Sequence, residues 1–121
     1  MSFLMVAAGG AVGAACRYAI SLIPFKGEFP LLTLVTNILG ALLIGFIVGM
    51  AQQKELPANT VLFLKTGVCG GFTTFSTFSL EAWGLIENGS KLLAALYILL
   101  SVICCIAGVW LGIAAGKAVF G

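Results

Sequence analysis

Long apolar runs separated by three short polar segments make up the sequence. The polar segments, at residues 24–30, 52–59 and 87–91, collect proline, glycine, asparagine and charged residues, as is typical of loops. They leave four apolar segments near 2–23, 31–51, 60–85 and 92–117. At about 1.5 Å per helical residue, each segment is long enough to cross a hydrocarbon core of about 30 Å. The pattern predicts an all-α membrane protein with four transmembrane helices, forming a single domain over residues 1–121.

Composition agrees with a lipid environment. Hydrophobic residues make up 61% of the chain and charged residues only 8%, whereas soluble domains carry about 25% charged residues. The mean hydropathy is +1.19. Histidine and aspartate are both absent, which excludes Ser-His-Asp triads, HExxH zinc sites and EF-hand loops. We therefore expect a multi-pass membrane protein that is not an enzyme.

Net charge narrows the choice of partners. The chain carries a formal charge of +2 with no cluster of basic residues, so nothing provides the basic surface that nucleic-acid binding requires. We expect no nucleic acid partner. The expected partners are membrane lipid, a second copy of the chain and a small solute.

Basic residues do not favour either orientation in the membrane. With four crossings, Lys54 and Lys117 lie on one side, and Lys26 and Lys91 lie on the other. Lysine and arginine usually mark the cytoplasmic side, so an even count gives no preference. We therefore hypothesise an antiparallel, dual-topology homodimer. The alternative is a fixed topology set by a partner or by weaker local charge effects.

Glycines spaced four residues apart predict close contacts between helices. Small residues at this spacing let helix backbones approach closely in lipid, where no hydrophobic force drives association. Such pairs or triplets occur in three of the four apolar segments: Gly9 and Gly13, Gly45 and Gly49, and Gly108, Gly112 and Gly116.

The third segment differs from the others because its middle is rich in glycine and hydroxyl residues. Gly67, Gly70 and Gly71 are followed by five serine or threonine residues. This predicts a helix broken near mid-membrane, with Ser and Thr side chains hydrogen-bonding the freed backbone groups. Unwound backbone at that depth must line a cavity or a protein interface. Its carbonyl groups suit a cation, whereas its N–H groups suit an anion.

Phenylalanines follow the predicted break. Phe72, Phe75 and Phe78 recur every three residues, which places them on one face of a helix beside a hydroxyl-bearing face. Phenyl ring edges carry partial positive charge, so they suit contact with a small anion that must also be released. Ordinary packing of the rings between helices is the alternative.

Isolated polar residues in the apolar segments are further candidates. Asn37 is either an anion-coordinating donor or an interhelical hydrogen-bonding residue. Arg17 lies close enough to the end of its segment to snorkel or to make a structural pairing. Glu81 lies at a pore mouth or is solvated at the interface. Tyr97 and Ser101 begin a mildly polar stripe, for which helix packing is the simpler explanation.

Three motifs in combination make the sequence recognisable. The first comprises Gly9-Gly10, Gly13-Ala14 and Arg17-Tyr18, the second is Asn37-Ile38-Leu39-Gly40, and the third is GGFTTFSTF at 70–78. Together they resemble the bacterial fluoride channels of the Fluc (CrcB) family over essentially the whole chain. The resemblance implies an antiparallel dimer with two pores, through which fluoride leaves the cytoplasm passively across the bacterial plasma (inner) membrane.

The resemblance also implies roles for individual residues. The backbone carbonyls of Gly70 and Thr73, two from each subunit, are expected to hold a structural sodium ion on the dimer axis. Arg17 is expected to be structural and Glu81 to lie in the pore vestibule. Cys105 stands where a serine would extend the polar stripe, so it is left out of the path. The fluoride path is expected to include Asn37, Phe75, Phe78, Ser76, Thr77, Tyr97 and Ser101.

Two other functions remain as alternatives. A proton-coupled exporter of the small multidrug resistance type also uses about four short helices, but it needs a glutamate embedded in its first helix, and residues 2–23 contain no acid. A structural membrane subunit that packs through its glycine faces is the second alternative. It leaves the polar third segment without a purpose.

Overall fold

The computed structural model describes all 121 residues as helices joined by short loops, as the sequence predicts. In chain order the helices are α1 (Ser2–Ser21), α2 (Leu31–Gln53), α3 (Ala58–Val61), a π-helix (Leu62–Cys69), α4 (Gly70–Phe72), α5 (Phe75–Glu87) and α6 (Lys91–Phe120). Three of them, α1, α2 and α6, are long and apolar enough to cross a membrane. The third apolar segment is instead divided into four shorter pieces.

The loops begin and end near the predicted positions for local reasons. Proline lacks a backbone N–H and disrupts the interior of a helix. Accordingly, α2 begins directly after Pro30 and ends four residues before Pro57. Gly89 adopts φ of 86° in the turn between α5 and α6, a left-handed conformation that glycine tolerates. Three helices extend beyond the predicted ends of their segments: α2 continues to Gln53, α5 to Glu87 and α6 to Phe120.

Glycine contacts hold α2 against α6, as the spacing predicts. A Cβ atom on Gly112 would meet the Leu42 carbonyl and would lie 2.9 Å from the Phe46 nitrogen. A Cβ atom on Gly49 would likewise meet the Ile113 carbonyl. Only residues without side chains allow two backbones to come this close.

A second glycine contact joins α1 to the third segment. Gly9 lies against Gly67, where an added Cβ would come within 2.8 Å of the opposite Cα atom in either direction. Gly71 lies against Gly10 in the same way, with its added Cβ 2.5 Å from the Gly10 carbonyl. Gly67 and Gly71 therefore serve close packing against α1, whereas a Cβ atom on Gly70 would meet nothing within 4 Å.

The break lies after these glycines and not among them. Gly70 and Gly71 are helical, and the chain leaves the helical conformation at Thr73 and Thr74, whose ψ angles are 156° and 119°. The expectation that Phe72 follows the break is therefore wrong. Phe72 ends α4, so it does not share a helix with Phe75.

Most of the apolar surface faces outwards. Only 19 of the 121 residues are buried, and the one compact core cluster contains Leu34, Ala82, Leu85, Ala94 and Tyr97. Large apolar side chains along α1, α5 and α6 remain exposed. An exposed apolar surface of this extent is expected to contact lipid or another protein chain.

Candidate functional site at the helix break

Asn37 holds the break in place from the neighbouring helix α2. Its Oδ1 accepts a hydrogen bond from the Thr74 backbone N–H at 2.8 Å, and its Nδ2 donates to the Thr74 carbonyl at 3.2 Å. The interhelical alternative for Asn37 is therefore present in the structure. An amide NH₂ group has two N–H donors, so one remains available for a ligand.

Hydroxyl side chains satisfy three further backbone groups near the break, as the sequence predicts. The Thr73 hydroxyl donates to the Cys69 carbonyl at 3.0 Å, and the Ser79 hydroxyl donates to the Phe75 carbonyl at 2.8 Å. The Thr74 hydroxyl caps α5 by accepting from the Thr77 N–H at 3.1 Å. The break is thus a defined structure with specific partners.

Two backbone carbonyls at the break, those of Gly70 and Thr73, lack the N–H donor that an uninterrupted helix would give them. The N–H of Thr74 would reach the Gly70 carbonyl in an uninterrupted helix, but it donates to Asn37 instead. The Thr73 carbonyl likewise lacks the Thr77 N–H, because the Thr74 side chain accepts from it. Free carbonyls at an interrupted helix are suitable cation ligands. The carbonyl oxygens of Gly70 and Thr73 are therefore suitable ligands for a monovalent cation, although one chain supplies only two of them.

An open groove of about 640 Å³ collects most of the predicted site residues. Asn37 lines it together with Gly70 and Thr73 at the break. Phe75 and Phe78 lie along the same groove, with ring centroids 5.4 Å apart at an angle of 45°. Phe75 is 79% exposed, so this part of the groove is uncovered in the single chain.

Helix α6 contributes the most unusual polar group of the groove. Ser101 lines the groove and is only 7% exposed, and its hydroxyl has no hydrogen-bond partner. A buried hydroxyl without a partner is destabilising by roughly 1–3 kcal/mol, so this group is suited to bind something absent from the single chain. Cys105, one turn further along, lines the same groove with a free thiol.

Tyr97 lies behind the groove and not in it. Its side chain is fully buried in the core, and its ring packs against Phe78 at a centroid distance of 5.1 Å. Its hydroxyl donates to a Glu81 carboxylate oxygen at 2.9 Å. Tyr97 therefore links the phenylalanine of the groove to the carboxylate further along α5.

Glu81 lines a separate cavity of about 450 Å³ beneath the first loop. The loop residue Glu28 lines the same cavity and accepts a hydrogen bond from the Ser90 hydroxyl, which ties the first loop to the start of α6. Phe78 precedes Glu81 by three residues on α5, so the two lie on one face. Glu81 therefore lies towards the loop from Phe78, in a cavity separate from the groove, and its vestibule role stays a prediction.

Arg17 lies beside the break on its other side. Its Nε donates to the Gly71 carbonyl at 3.2 Å, so the guanidinium stabilises the C-terminal end of α4. The side chain also lines a small cavity of about 70 Å³, and its remaining N–H donors are free to bind an anion there. The other lining residues are Ser21, Leu32, Thr33, Thr36, Thr74 and Thr77.

The residues predicted for the fluoride path are divided between the groove and the Arg17 cavity. Thr77 faces the Arg17 cavity instead of the groove, and Ser76 lines neither of them. The sequence analysis missed Thr33 and Thr36 as polar residues of this cavity. Their position just before Asn37 on α2 was the available signal, because threonines three residues apart in an apolar helix share a face.

Comparison with known proteins agrees with the motifs at these sites. A family model described as "CrcB-like protein, Camphor Resistance (CrcB)" matches residues 4–113. A relative from Agrobacterium fabrum named "Fluoride-specific ion channel FluC" is 43% identical over 124 aligned positions, covering 99% of each chain. A relative of the same name from Clostridium perfringens is 46% identical over 90% of this chain and 88% of its own. With a match of this extent, the chain belongs to the CrcB family.

Proposed function

We propose that the protein is a fluoride-selective ion channel of the bacterial plasma membrane, through which cytoplasmic fluoride leaves the cell by passive electrodiffusion. Relatives that match almost the full chain carry the name of a fluoride-specific channel. The structural observation that carries the proposal is the groove itself. It combines phenyl rings, an amide and a buried hydroxyl that has no partner.

The chemistry of the groove suits a small and strongly hydrated anion. A permeation site for such an ion must replace its water with hydrogen-bond donors, and it must remain weak enough to release the ion. Ser101 supplies a free hydroxyl, and Asn37 supplies its second N–H. The ring edges of Phe75 and Phe78 add partial positive charge without a fixed cation that would trap the anion.

We further propose that two copies of the chain assemble antiparallel, with all four apolar segments of each copy crossing the membrane. The groove is open in one chain, where Phe75 is 79% exposed and the buried Ser101 hydroxyl lines the groove without a hydrogen-bond partner. A second copy that packs through this surface would cover Phe75, since a two-fold axis brings the same surface of each subunit into one interface. The even distribution of lysines between the two sides allows both orientations. Two grooves would then form two pores.

The same two-fold arrangement provides a cation site. One chain offers the free carbonyls of Gly70 and Thr73, and two chains would offer four oxygens around the axis. We propose that they bind a structural sodium ion, as carbonyls of interrupted helices do in other membrane proteins. This site differs from the fluoride path in its chemistry, since it uses carbonyl acceptors where the path uses donors, although residues of both line the groove.

Ion flux from liposomes tests the proposal directly. Purified protein is reconstituted with fluoride or chloride inside, and valinomycin balances the charge while ion-selective electrodes follow the efflux. We expect rapid electrogenic loss of fluoride with chloride retained. No fluoride flux from folded protein would contradict the channel and would favour an exporter or a structural subunit. Fluoride flux that does not respond to valinomycin would contradict passive electrodiffusion.

A further inference from the structure

Lys65 is the only charged residue that lines the groove. It lies in the π-helix, eight residues before Thr73, and its side chain is exposed in the single chain. Its ammonium group takes part in none of the side-chain hydrogen bonds within the chain. Charged groups within a membrane protein normally pair or reach water. Lys65 is therefore available to a partner from outside its own chain.

The register of an antiparallel pair indicates which part of the second copy lies at that level. Lys65 precedes Gly70 by five residues, and Phe78 follows Thr73 by five residues. If the two-fold axis passes between Gly70 and Thr73, then Lys65 of one subunit lies on the same side of the axis as Phe78 of the partner subunit, which is a few ångströms further out because Thr73 and Thr74 are extended. This step rests on the antiparallel dimer of the proposed function.

The direction of the Lys65 side chain indicates which acidic residue of the partner subunit it reaches. Helical side chains tilt towards the N-terminus of their helix, which for Lys65 is the loop side of the segment. In an antiparallel partner this direction leads from Phe78 towards Glu81, about 4.5 Å further along at 1.5 Å per residue. The flexible lysine stem readily spans such a distance to reach polar surroundings.

Glu81 has the capacity to accept this partner. Only one of its carboxylate oxygens has a hydrogen bond within the chain, which comes from the Tyr97 hydroxyl. The ionised carboxylate accepts several hydrogen bonds. Left alone at the end of an anion path, its negative charge would repel fluoride.

We propose that Lys65 forms an ion pair with Glu81 of the partner subunit at each end of the dimer, and that this pair neutralises the carboxylate at the mouth of the fluoride path. The two-fold axis generates two such pairs, one near each membrane face. Lys65 is thus a positioning residue for the mouth and does not itself form the narrow part of the path.

Fluoride flux in charge variants tests the pair. Lys65→Met removes the charge while retaining an unbranched side chain. We expect flux at low ionic strength to fall roughly tenfold, which lies within the range of known effects of local charge on the rate of ion arrival. The loss should shrink near 1 M salt, where the screening length is about 3 Å. Lys65→Arg should retain flux. Lys54→Met is the matched control, because Lys54 lies outside the groove, and its flux should be unchanged.

The decisive variant combines both changes. Glu81→Gln in the Lys65→Met background removes the unpaired carboxylate, so we expect it to restore most of the lost flux. Strictly additive effects of the two substitutions would overturn the pair. This double variant also separates pairing from a purely structural role for the lysine, which the glutamine would not rescue.

Cross-linking between differently tagged copies provides a second measurement. In chains whose four cysteines are replaced by serine, one copy carries Lys65→Cys and the other carries Glu81→Cys. With a flexible thiol-specific bismaleimide, which spans more than the roughly 7 Å between Cα atoms that a direct disulfide permits, we expect a cross-linked dimer from this mixture and none when Lys54→Cys replaces Lys65→Cys. If the cysteine variants form no cross-link although the unaltered protein is dimeric and conducts fluoride, the ion pair is wrong and the proposed function stands. Monomeric protein, or no flux from the unaltered chain, would instead overturn the proposed function on which the pair depends.

Discussion

Asn37 and Thr74 exchange two hydrogen bonds across the helix break, at 2.8 Å and 3.2 Å. The side-chain amide of Asn37 replaces both backbone partners that Thr74 loses when the helix is interrupted. This pairing fixes the position of the break against α2. It also leaves one Asn37 N–H free beside the groove.

We expect Asn37→Ala to abolish fluoride flux and to destabilise the fold by about 1–3 kcal/mol, because both Thr74 groups lose their partner in a water-poor environment. Asn37→Asp should retain part of the stability, since an oxygen still accepts from the Thr74 N–H. Unfolding in detergent and liposome flux measure the two effects. Gln52→Ala, on the exposed end of the same helix, is the control. Unchanged stability in Asn37→Ala would show that the pairing does not hold the break.

The combined variant Phe75→Ala and Phe78→Ala should eliminate fluoride flux. The ring edges are the proposed electropositive lining of the groove, and Phe75 contributes little to the core because it is largely exposed. Phe3→Ala, which removes another exposed ring far from the groove, should leave flux intact. Wild-type flux in the double variant would place the path elsewhere.

Leucine at the same two positions separates ring chemistry from bulk. Phe75→Leu with Phe78→Leu keeps apolar side chains of substantial size but removes the aromatic quadrupole. We expect flux to remain lost in this variant. Normal flux with leucine would mean that the rings act only by filling space, and the anion-contact role would be wrong.

Gly112→Ala should destabilise the fold by about 1–3 kcal/mol, as overpacking usually does. The added methyl group would meet backbone atoms of Leu42, Phe46 and Gly45, none of which can rotate away. Gly84→Ala is the matched control, because an added Cβ there has open space. Thermal unfolding in detergent should show a lower transition temperature for Gly112→Ala only. Equal transition temperatures would mean that α2 and α6 separate without loss of stability.

Removing sodium should lower the stability of the dimer, because a ligand that binds only the assembled state stabilises that state. We would compare thermal transitions and dimer fraction in sodium with those in N-methylglucamine at equal ionic strength. A lower transition in N-methylglucamine is the expected result. Identical behaviour in both cations would contradict the sodium site, while the fluoride path at Phe75 and Phe78 would be unaffected.

Part of the site was predictable because it depends on local sequence. The glycine and threonine content of the third segment predicted an interrupted helix, and the hydroxyls of Thr73 and Thr74 do satisfy nearby backbone groups. The position of the break was misplaced by a few residues. Gly67 and Gly71 are used for contact with α1, and a sequence pattern does not distinguish a glycine that packs from a glycine that unwinds.

The positions and hydrogen-bond partners of the polar side chains were less predictable, because they depend on contacts between distant segments. Tyr97 and Ser101 are one turn apart on α6 and were expected to form one polar track. In the structure Tyr97 is engaged by Glu81 in the core, whereas Ser101 faces the groove without a partner. Thr77 likewise turns to the Arg17 cavity. Helical spacing predicts which residues share a face of a helix, but it does not predict which neighbouring helix or cavity that face contacts.

The sequence by itself determined the membrane environment, the apolar segments, the glycine packing faces and the family, because these depend on composition and on residues close together in the chain. Only the tertiary structure decided where the third segment breaks and which groups remain free there. The reason is that each hydrogen-bonding group in an apolar environment takes a partner from whichever helix lies nearest. The pairing of Asn37 with Thr74, 37 residues apart, leaves the Gly70 carbonyl free, and no local pattern contains that choice.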